Sequence, residues 1–229
     1  GTQFITLPPA QDHKRILDGE RGKNTGGMGA YAPTPFVTER ILEKIKRAII
    51  RPTLNGLAKE GRRYRGCLYC GLMLTKTGPK VVEFNCRFGD PEAQVILPLV
   101  EGDFAGLLLA AVSGSLQNFK LKQLRATAVC VVVASGGYPD KYETGKEILG
   151  LDSINGLENI LLFHAGTRLE RGKFITDGGR VLGVTATGPD DNLEATISRA
   201  YQAVRKITFD GAYFRSDIGT KALKVVEAV

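Results

Sequence analysis

PKVVEFNCRFGDPEAQ, residues 79–94, runs an apolar strand into a dense cluster of carboxylates, an amide and a guanidinium. With VVEFN as a strand, Glu83, Asn85 and Arg87 share one face at offsets of two, while Phe84, Cys86 and Phe88 point the other way. A carboxylate and an amide oxygen side by side are hard ligands suited to Mg²⁺, which takes one or two protein oxygens and completes its shell with water and phosphate. Arg87, one pleat further, is then placed to bind a phosphoryl or carboxylate oxygen bidentately. A second reading of the same letters stands beside this one: exposed polar residues on a one-sided strand alternate in the same way. GDPE adds a turn and a helix start under either reading.

Around this strand the pattern is legible. Thr38 caps a helix in which Ile41, Ile45, Ala48 and Ile49 recur at helical spacing, and Pro52 is expected to kink it or end its first segment. RGCLYCGLMLT, a turn around residues 76–79 and KVVEFN make a hairpin. A second helix is expected from Pro91 through VILPLVEGDFAGLLLAAVSG, with an interruption. Residues 1–37 are rich in Gly and Pro, and GKNTGGMGAYAPTP, residues 22–35, reads as a long ordered loop. A composition change near LKQLRATAVCVVVA places a domain boundary at 122/123. Beyond it lie TAVCVVVAS, NILLFHAGT and KFITDGGRVLGVTAT, the last with a hairpin expected at Asp177-Gly178-Gly179. The helix LEATISRAYQAVRKI sets Leu193, Ile197, Ala200, Tyr201 and Val204 on one face.

Charge and composition narrow the function. The 31 Lys+Arg and 24 Asp+Glu are unevenly spread: residues 1–122 hold 18 basic against 11 acidic side chains, and residues 123–229 hold 13 of each. A phosphate-rich small ligand accounts for that bias, and no aromatic RNA-binding pattern is present, so nucleic acid is not an expected partner. No apolar run approaches the ~20 residues needed to cross a bilayer, and GTQFITLPPA is not a secretory leader; a cytoplasmic location without membrane partners is expected. Cys67 and Cys70 have CxxC spacing, but on a strand an offset of three separates the thiols, so they read as buried small hydrophobes.

QDHKR, residues 11–15, and NTGGMGAY, residues 24–31, form the other polar cluster. Gly26, Gly27 and Gly29 let backbone N–H groups approach an anion, Asn24 and Thr25 add side-chain donors, and His13, Lys14 and Arg15 supply cations. A surface loop fits those letters equally well. The ending of a P-loop and the strand-to-helix setting of a dinucleotide fingerprint are both missing. His13 and His164, taken singly, read as structural hydrogen-bonding residues.

QDHKR, NTGGMGAY, EFNCRFGDPEAQ, and then GGYP (136–139), FHAGT (163–167) and GGRVL (178–182) occur in one order. That ordered set resembles the glycinamide ribonucleotide synthetase (phosphoribosylamine-glycine ligase) family of the ATP-grasp superfamily, over nearly the whole chain. The resemblance implies an α+β fold: the back part of an ATP-grasp core, an antiparallel sheet with helices, over residues 1–122, and a small β-rich domain with a covering helix over 123–229. It implies ligation of glycine to 5-phosphoribosylamine through a glycyl phosphate, with ATP and Mg²⁺ (or Mn²⁺) as cofactors and glycinamide ribonucleotide, ADP and phosphate as products. By similarity Glu83 and Asn85 are the metal ligands and Arg87 is catalytic. Asp12, His13, Lys14, Arg15, Asn24, Thr25, Gly26, Gly27, Met28, Gly29 and Asp90 bind substrates. Family members begin with a separate N-terminal domain and a nucleotide-binding lid, so this chain looks like the C-terminal half, with the N-terminal half as its expected partner. Lys23 stands where the family commonly has proline. A non-catalytic binding module derived from such a ligase is the alternative.

Overall fold

A computed structural model of the chain describes residues 1–226. It divides into two compact units, and neither is one continuous stretch. Residues 1–7, 35–89 and 100–124 form the first, and residues 8–34, 90–99 and 125–229 the second. The reason lies in strand pairing: Gln11–Asp12 and Gly29–Ala32, inside the expected 22–35 loop region and its approach, are strands of the sheet built on Ala126–Ala134. A contiguous cut at 122/123 therefore differs from the way the backbone is grouped.

The second unit is a five-stranded, wholly antiparallel sheet. Its order is Gln11–Asp12, Gly29–Ala32, Ala126–Ala134, Arg180–Pro189, Ile160–His164. ATAVCVVVA reads as an almost continuous apolar run, broken only by Thr127, because both its faces are covered. Ala128 and Cys130 join Ala30, Ala32, Val95 and Leu99 in one buried cluster. Thr127 faces the opposite way, its Oγ1 3.0 Å from Thr196 Oγ1 on the helix Leu193–Val204. That helix is amphipathic as its periodicity requires, burying Ile197, Ala200, Tyr201 and Val204, and the Asn192 side chain caps it by accepting from Ala195 N. Each buried valine of the central strand contributes about 1.5–3 kcal/mol of transfer free energy.

The hairpin expected at Asp177-Gly178-Gly179 does not form. Lys173–Thr176 pairs backward with Thr167–Glu170, while Arg180–Pro189 enters the central sheet. A two-residue hairpin turn of the favoured type needs positive φ at both central residues, and neither Gly178 nor Gly179 adopts it. These glycines serve close packing instead: a Cβ on Gly166 would lie 2.6 Å from Gly178 Cα.

In the first unit, Thr38 caps the helix Glu39–Ile45 by accepting from Ile41 N. The expected interruption at Pro52 is a change of helix type, not a stop. The chain stays in the right-handed helical region through a π-helical turn, Lys46–Ile50, into Arg51–Lys59, and Pro52 sits just after that irregular turn, in the first turn of the last segment. The Pro91 helix is shorter than its sequence suggests. Ala93–Ile96 and a 3₁₀ turn end it in the second unit, and Phe104–Ser113 is a separate helix of the first, capped by Asp103 and closed by left-handed Gly114. Tyr69–Thr75 pairs antiparallel with Gly78–Asn85 around a two-residue turn. No helix among the described residues is long and apolar enough to cross a membrane.

Candidate functional site

Glu83 and Asn85 lie in the first unit on the strand Gly78–Asn85, opposite Gly71 and Tyr69. A register shift leaves Val82 unmatched between Val81 and Glu83, but Glu83 and Asn85 follow it and keep one face. A Cβ on Gly71 would lie 2.9 Å from Glu83 Cγ, so the glycine makes room for this side chain. Two corrections follow. The strand is not buried: Val82 is 66% and Val81 43% exposed. It also ends at Asn85, so Arg87 sits in a bend, outside the pleat, with Nη1 donating to Phe88 O at 2.9 Å. Among the described residues no cluster of three or more His, Cys, Asp or Glu is arranged for a metal. A carboxylate with an amide oxygen fits Mg²⁺, which relies on water and substrate phosphate for the rest of its shell. All four cysteines are free; Cys67 precedes the strand, and burial, reinforced by Cys67, pushes the Cys70 thiol up to about 11.

Asp12 to Arg15, Asn24 to Gly29 and Asp90 all belong to the second unit. The glycine-rich loop is an ordered connection between a hairpin, Arg15–Leu17 with Arg21–Asn24, and the buried strand Gly29–Ala32. Its amides are not free for an anion. Thr25 N donates to Lys14 O at 2.8 Å, Gly26 N to Tyr138 Oη at 2.9 Å, Gly27 N to Thr25 Oγ1 at 2.9 Å and Met28 N to His13 O at 2.8 Å. Lys23 meets Asp140 at 2.7 Å. Asp90 is held by the Arg180 guanidinium at 3.1 and 3.3 Å and by Gln94 Nε2 at 2.9 Å.

His13 cannot serve as the expected cation. It is fully buried, with Gly219 N donating to its Nε2 at 3.5 Å, and burial together with the nearby Arg215 pushes its pKa down to about 4. It supports the loop through its backbone. Asp12 moves the other way: burial and then the Glu92 carboxylate raise it, partly offset by Lys14 at 3.6 Å. His164 has the structural role expected of it, with Nδ1 2.9 Å from Thr167 Oγ1 and its ring 4.6 Å from Phe174.

Arg215 was not singled out in the sequence, yet it anchors the hairpin. Its side chain is 0% exposed and donates to Arg15 O at 2.9 Å, Glu20 Oε1 at 2.7 Å and both oxygens of Asp217 at 2.8 Å. A buried guanidinium is tolerated only with partners of this kind. Burial pushes the Asp217 carboxyl up, but Arg215 and Gly19 N outweigh it and hold it at about 2. The only local sign was a lone Arg-Ser-Asp between Phe214 and Ile218.

Comparison with known proteins places this architecture. Residues 1–93 match the family model for the phosphoribosylglycinamide synthetase ATP-grasp (A) domain, and residues 128–221 the model for its C domain. A phosphoribosylamine–glycine ligase of Synechocystis is 51% identical over 97% of this chain and 53% of its own length. The human trifunctional purine biosynthetic protein adenosine-3 is 46% identical over 99% of this chain and 22% of its own length. The crystal structure of phosphoribosylamine–glycine ligase from Thermotoga maritima superposes with a TM-score of 0.79 at 40% identity, covering 95% of this chain and 52% of that one. The biotin carboxylase domain of Hydrogenobacter thermophilus 2-oxoglutarate carboxylase, solved with MgADP and bicarbonate, shares the fold at a TM-score of 0.57 and 15% identity, over 82% of this chain and 40% of its own. The fold class is thus α+β of the ATP-grasp type with a small β-rich domain. The chain belongs to the phosphoribosylglycinamide synthetase family and spans about half the length of the single-activity curated relatives it matches.

Proposed function

We propose that this chain works in an ATP-dependent phosphoribosylamine–glycine ligase, joining glycine to 5-phosphoribosylamine. ATP phosphorylates the glycine carboxylate to glycyl phosphate and ADP; the amine then attacks the carbonyl carbon, loses a proton and expels phosphate. The observation that carries this reading is the match of both family domains, in order, on a chain that keeps Glu83, Asn85 and Arg87. We take residues 1–122 as the ATP-grasp contribution and 123–229 as the C domain, a boundary lying between the two matched segments.

Glu83 and Asn85 are assigned to hold Mg²⁺ or Mn²⁺, which would neutralise the ATP phosphates when bound. Arg87 is assigned to the charge on the transferring phosphoryl, work of the kind that dominates phosphoryl transfer. Charge supports this division. The first unit carries 14 Lys+Arg against 6 Asp+Glu, the second 17 against 18, so the cationic excess sits with the nucleotide residues. In the second unit, Asp12, Lys14, Arg15, Asn24–Gly29 and Asp90 are assigned to phosphoribosylamine and glycine. No enzyme nucleophile is needed. The reading includes a cytoplasmic location, and the relatives' greater length supports a partner segment that contributes the nucleotide lid.

The test is a coupled ADP-release assay with ATP, Mg²⁺, glycine and phosphoribosylamine, on the 229-residue chain and on the longest native form. Expected is release that requires both acceptor substrates in the longer form and falls by about 10²-fold or more in Glu83→Gln. Absence of glycine-dependent release from both forms would sink the ligase reading and leave a non-catalytic binding module.

A further inference from the structure

GGYP and GGRVL have no role in the assignments above, yet both reach the same residue, Gly26. The Tyr138 hydroxyl accepts from Gly26 N at 2.9 Å, and Arg180 Nη1 donates to Gly26 O at 3.1 Å. The same guanidinium donates to Asp90 O at 2.9 Å and spans the Asp90 carboxylate. We propose that Tyr138 and Arg180 are positioning residues that grip Gly26 at its amide and carbonyl ends and so set the loop for the phosphorylated ribosylamine; the identity of that ligand rests on the ligase reading.

The glycines of the loop and of GGRVL fit this arrangement. A Cβ on Gly26 would lie 2.9 Å from Arg180 Cζ, so a glycine is what lets the guanidinium approach the peptide. Gly27 has φ +118°, and its Cβ would lie 2.5 Å from Pro91 Cδ, which presses the loop against the residue after Asp90. A Cβ on Gly179 would lie 2.3 Å from Tyr138 Cδ2, so GGR leaves room for the ring of GGYP. Tyr138 is thereby placed beside the segment that carries Arg180, and both side chains meet at the loop residue they hold.

The experiment compares Tyr138→Phe, Arg180→Lys and Arg180→Ala in the longest native form by amide exchange at residues 25–28, steady-state kinetics and titration with ribose 5-phosphate. In Tyr138→Phe, exchange at Gly26 and KM for phosphoribosylamine each rise about tenfold, while KM for ATP stays within about twofold. Arg180→Ala raises both by about 100-fold, with Arg180→Lys between. The proposal is overturned by unchanged exchange and KM in Tyr138→Phe, or by a KM for ATP that rises in proportion, which marks a general loss of structure. If the wild type releases no ADP, the ligase reading fails separately. Ribose 5-phosphate then decides: binding that weakens with faster loop exchange upholds the grip, whereas equal binding by wild type and Tyr138→Phe, or none by wild type, overturns it.

Discussion

Glu83 and Asn85 stand on a scaffold very different from the one under the Gly26 loop. Their hairpin, Tyr69–Thr75 with Gly78–Asn85, has no buried residue on either strand. The loop, by contrast, runs into Met28 and Ala30–Ala32, all fully buried, and is tied down by Tyr138, Arg180 and the Arg215 cluster. A two-stranded ribbon is marginal by itself, whereas a five-stranded sheet with both faces covered is a rigid support. The lesson is that residues grouped by function need not share a stability: opening free energies differ across one chain. The residues assigned to the acceptor substrates are preorganised within their own unit; the pair assigned to the metal stands on a hairpin whose strands bury no residue.

The sharpest way to break this comparison is Arg215→Ala. It removes the cation from a buried network and leaves two partly exposed carboxylates, Glu20 with Lys221 at 3.2 Å and Asp217 with Gly19 N at 2.8 Å. Allowing for that exposure, the expected loss is about 2–4 kcal/mol of unfolding free energy, read by urea denaturation. A loss under about 1 kcal/mol would mean that the hairpin is held mainly by its strand pairing and not by the buried charge.

What the sequence disclosed was whatever is local. The Thr38 and Asn192 caps, the helix Leu193–Val204 and the central strand Ala126–Ala134 follow from spacing and composition, and Glu83 and Asn85 share a face by strand parity. What it hid depends on distant partners. Gly29–Ala32 looks like loop because its glycines and prolines mask a strand that exists only by pairing with Ala126–Ala134. Asp177-Gly178-Gly179 looks like a hairpin because nothing local reveals that its flanking strands join different sheets. His13 looks cationic beside Lys14 and Arg15, but Arg215, from the other end of the chain, helps to keep it neutral. The grip of Tyr138 and Arg180 on Gly26 spans 112 and 154 positions. No short motif carries that information.

His13 sharpens the comparison through pH. Its folded pKa is near 4 against 6.5 for an unperturbed imidazole, so between those values the unfolded chain binds a proton that the folded chain does not. The stability from neutral His13 is complete above about pH 6.5 and is lost as pH falls toward 4. Loss on the order of 2–3 kcal/mol is expected across that window, with a flatter profile in His13→Gln. The loss from Asp217 belongs lower, from its ordinary 3.8 toward about 2. Urea unfolding at a series of pH values separates the two; an identical slope for wild type and His13→Gln between pH 4 and 6.5 would contradict a buried neutral imidazole.

The smallest effect is expected where the other scaffold is most open. Val82, the unmatched residue at the register shift, is 66% exposed, and its neighbours Val81 and Phe84 are exposed as well. Val82→Thr keeps the β-branched shape and exchanges a methyl already in water for a hydroxyl, so unfolding free energy should change by no more than about 0.5 kcal/mol. The same exchange at Val131, fully buried in the central strand, places a hydroxyl in an apolar core and should cost about 1–3 kcal/mol. Paired urea titrations of Val82→Thr and Val131→Thr measure the contrast directly. Equal losses would show that the hairpin is covered in solution as thoroughly as the central sheet, and the difference in support between the two regions would disappear.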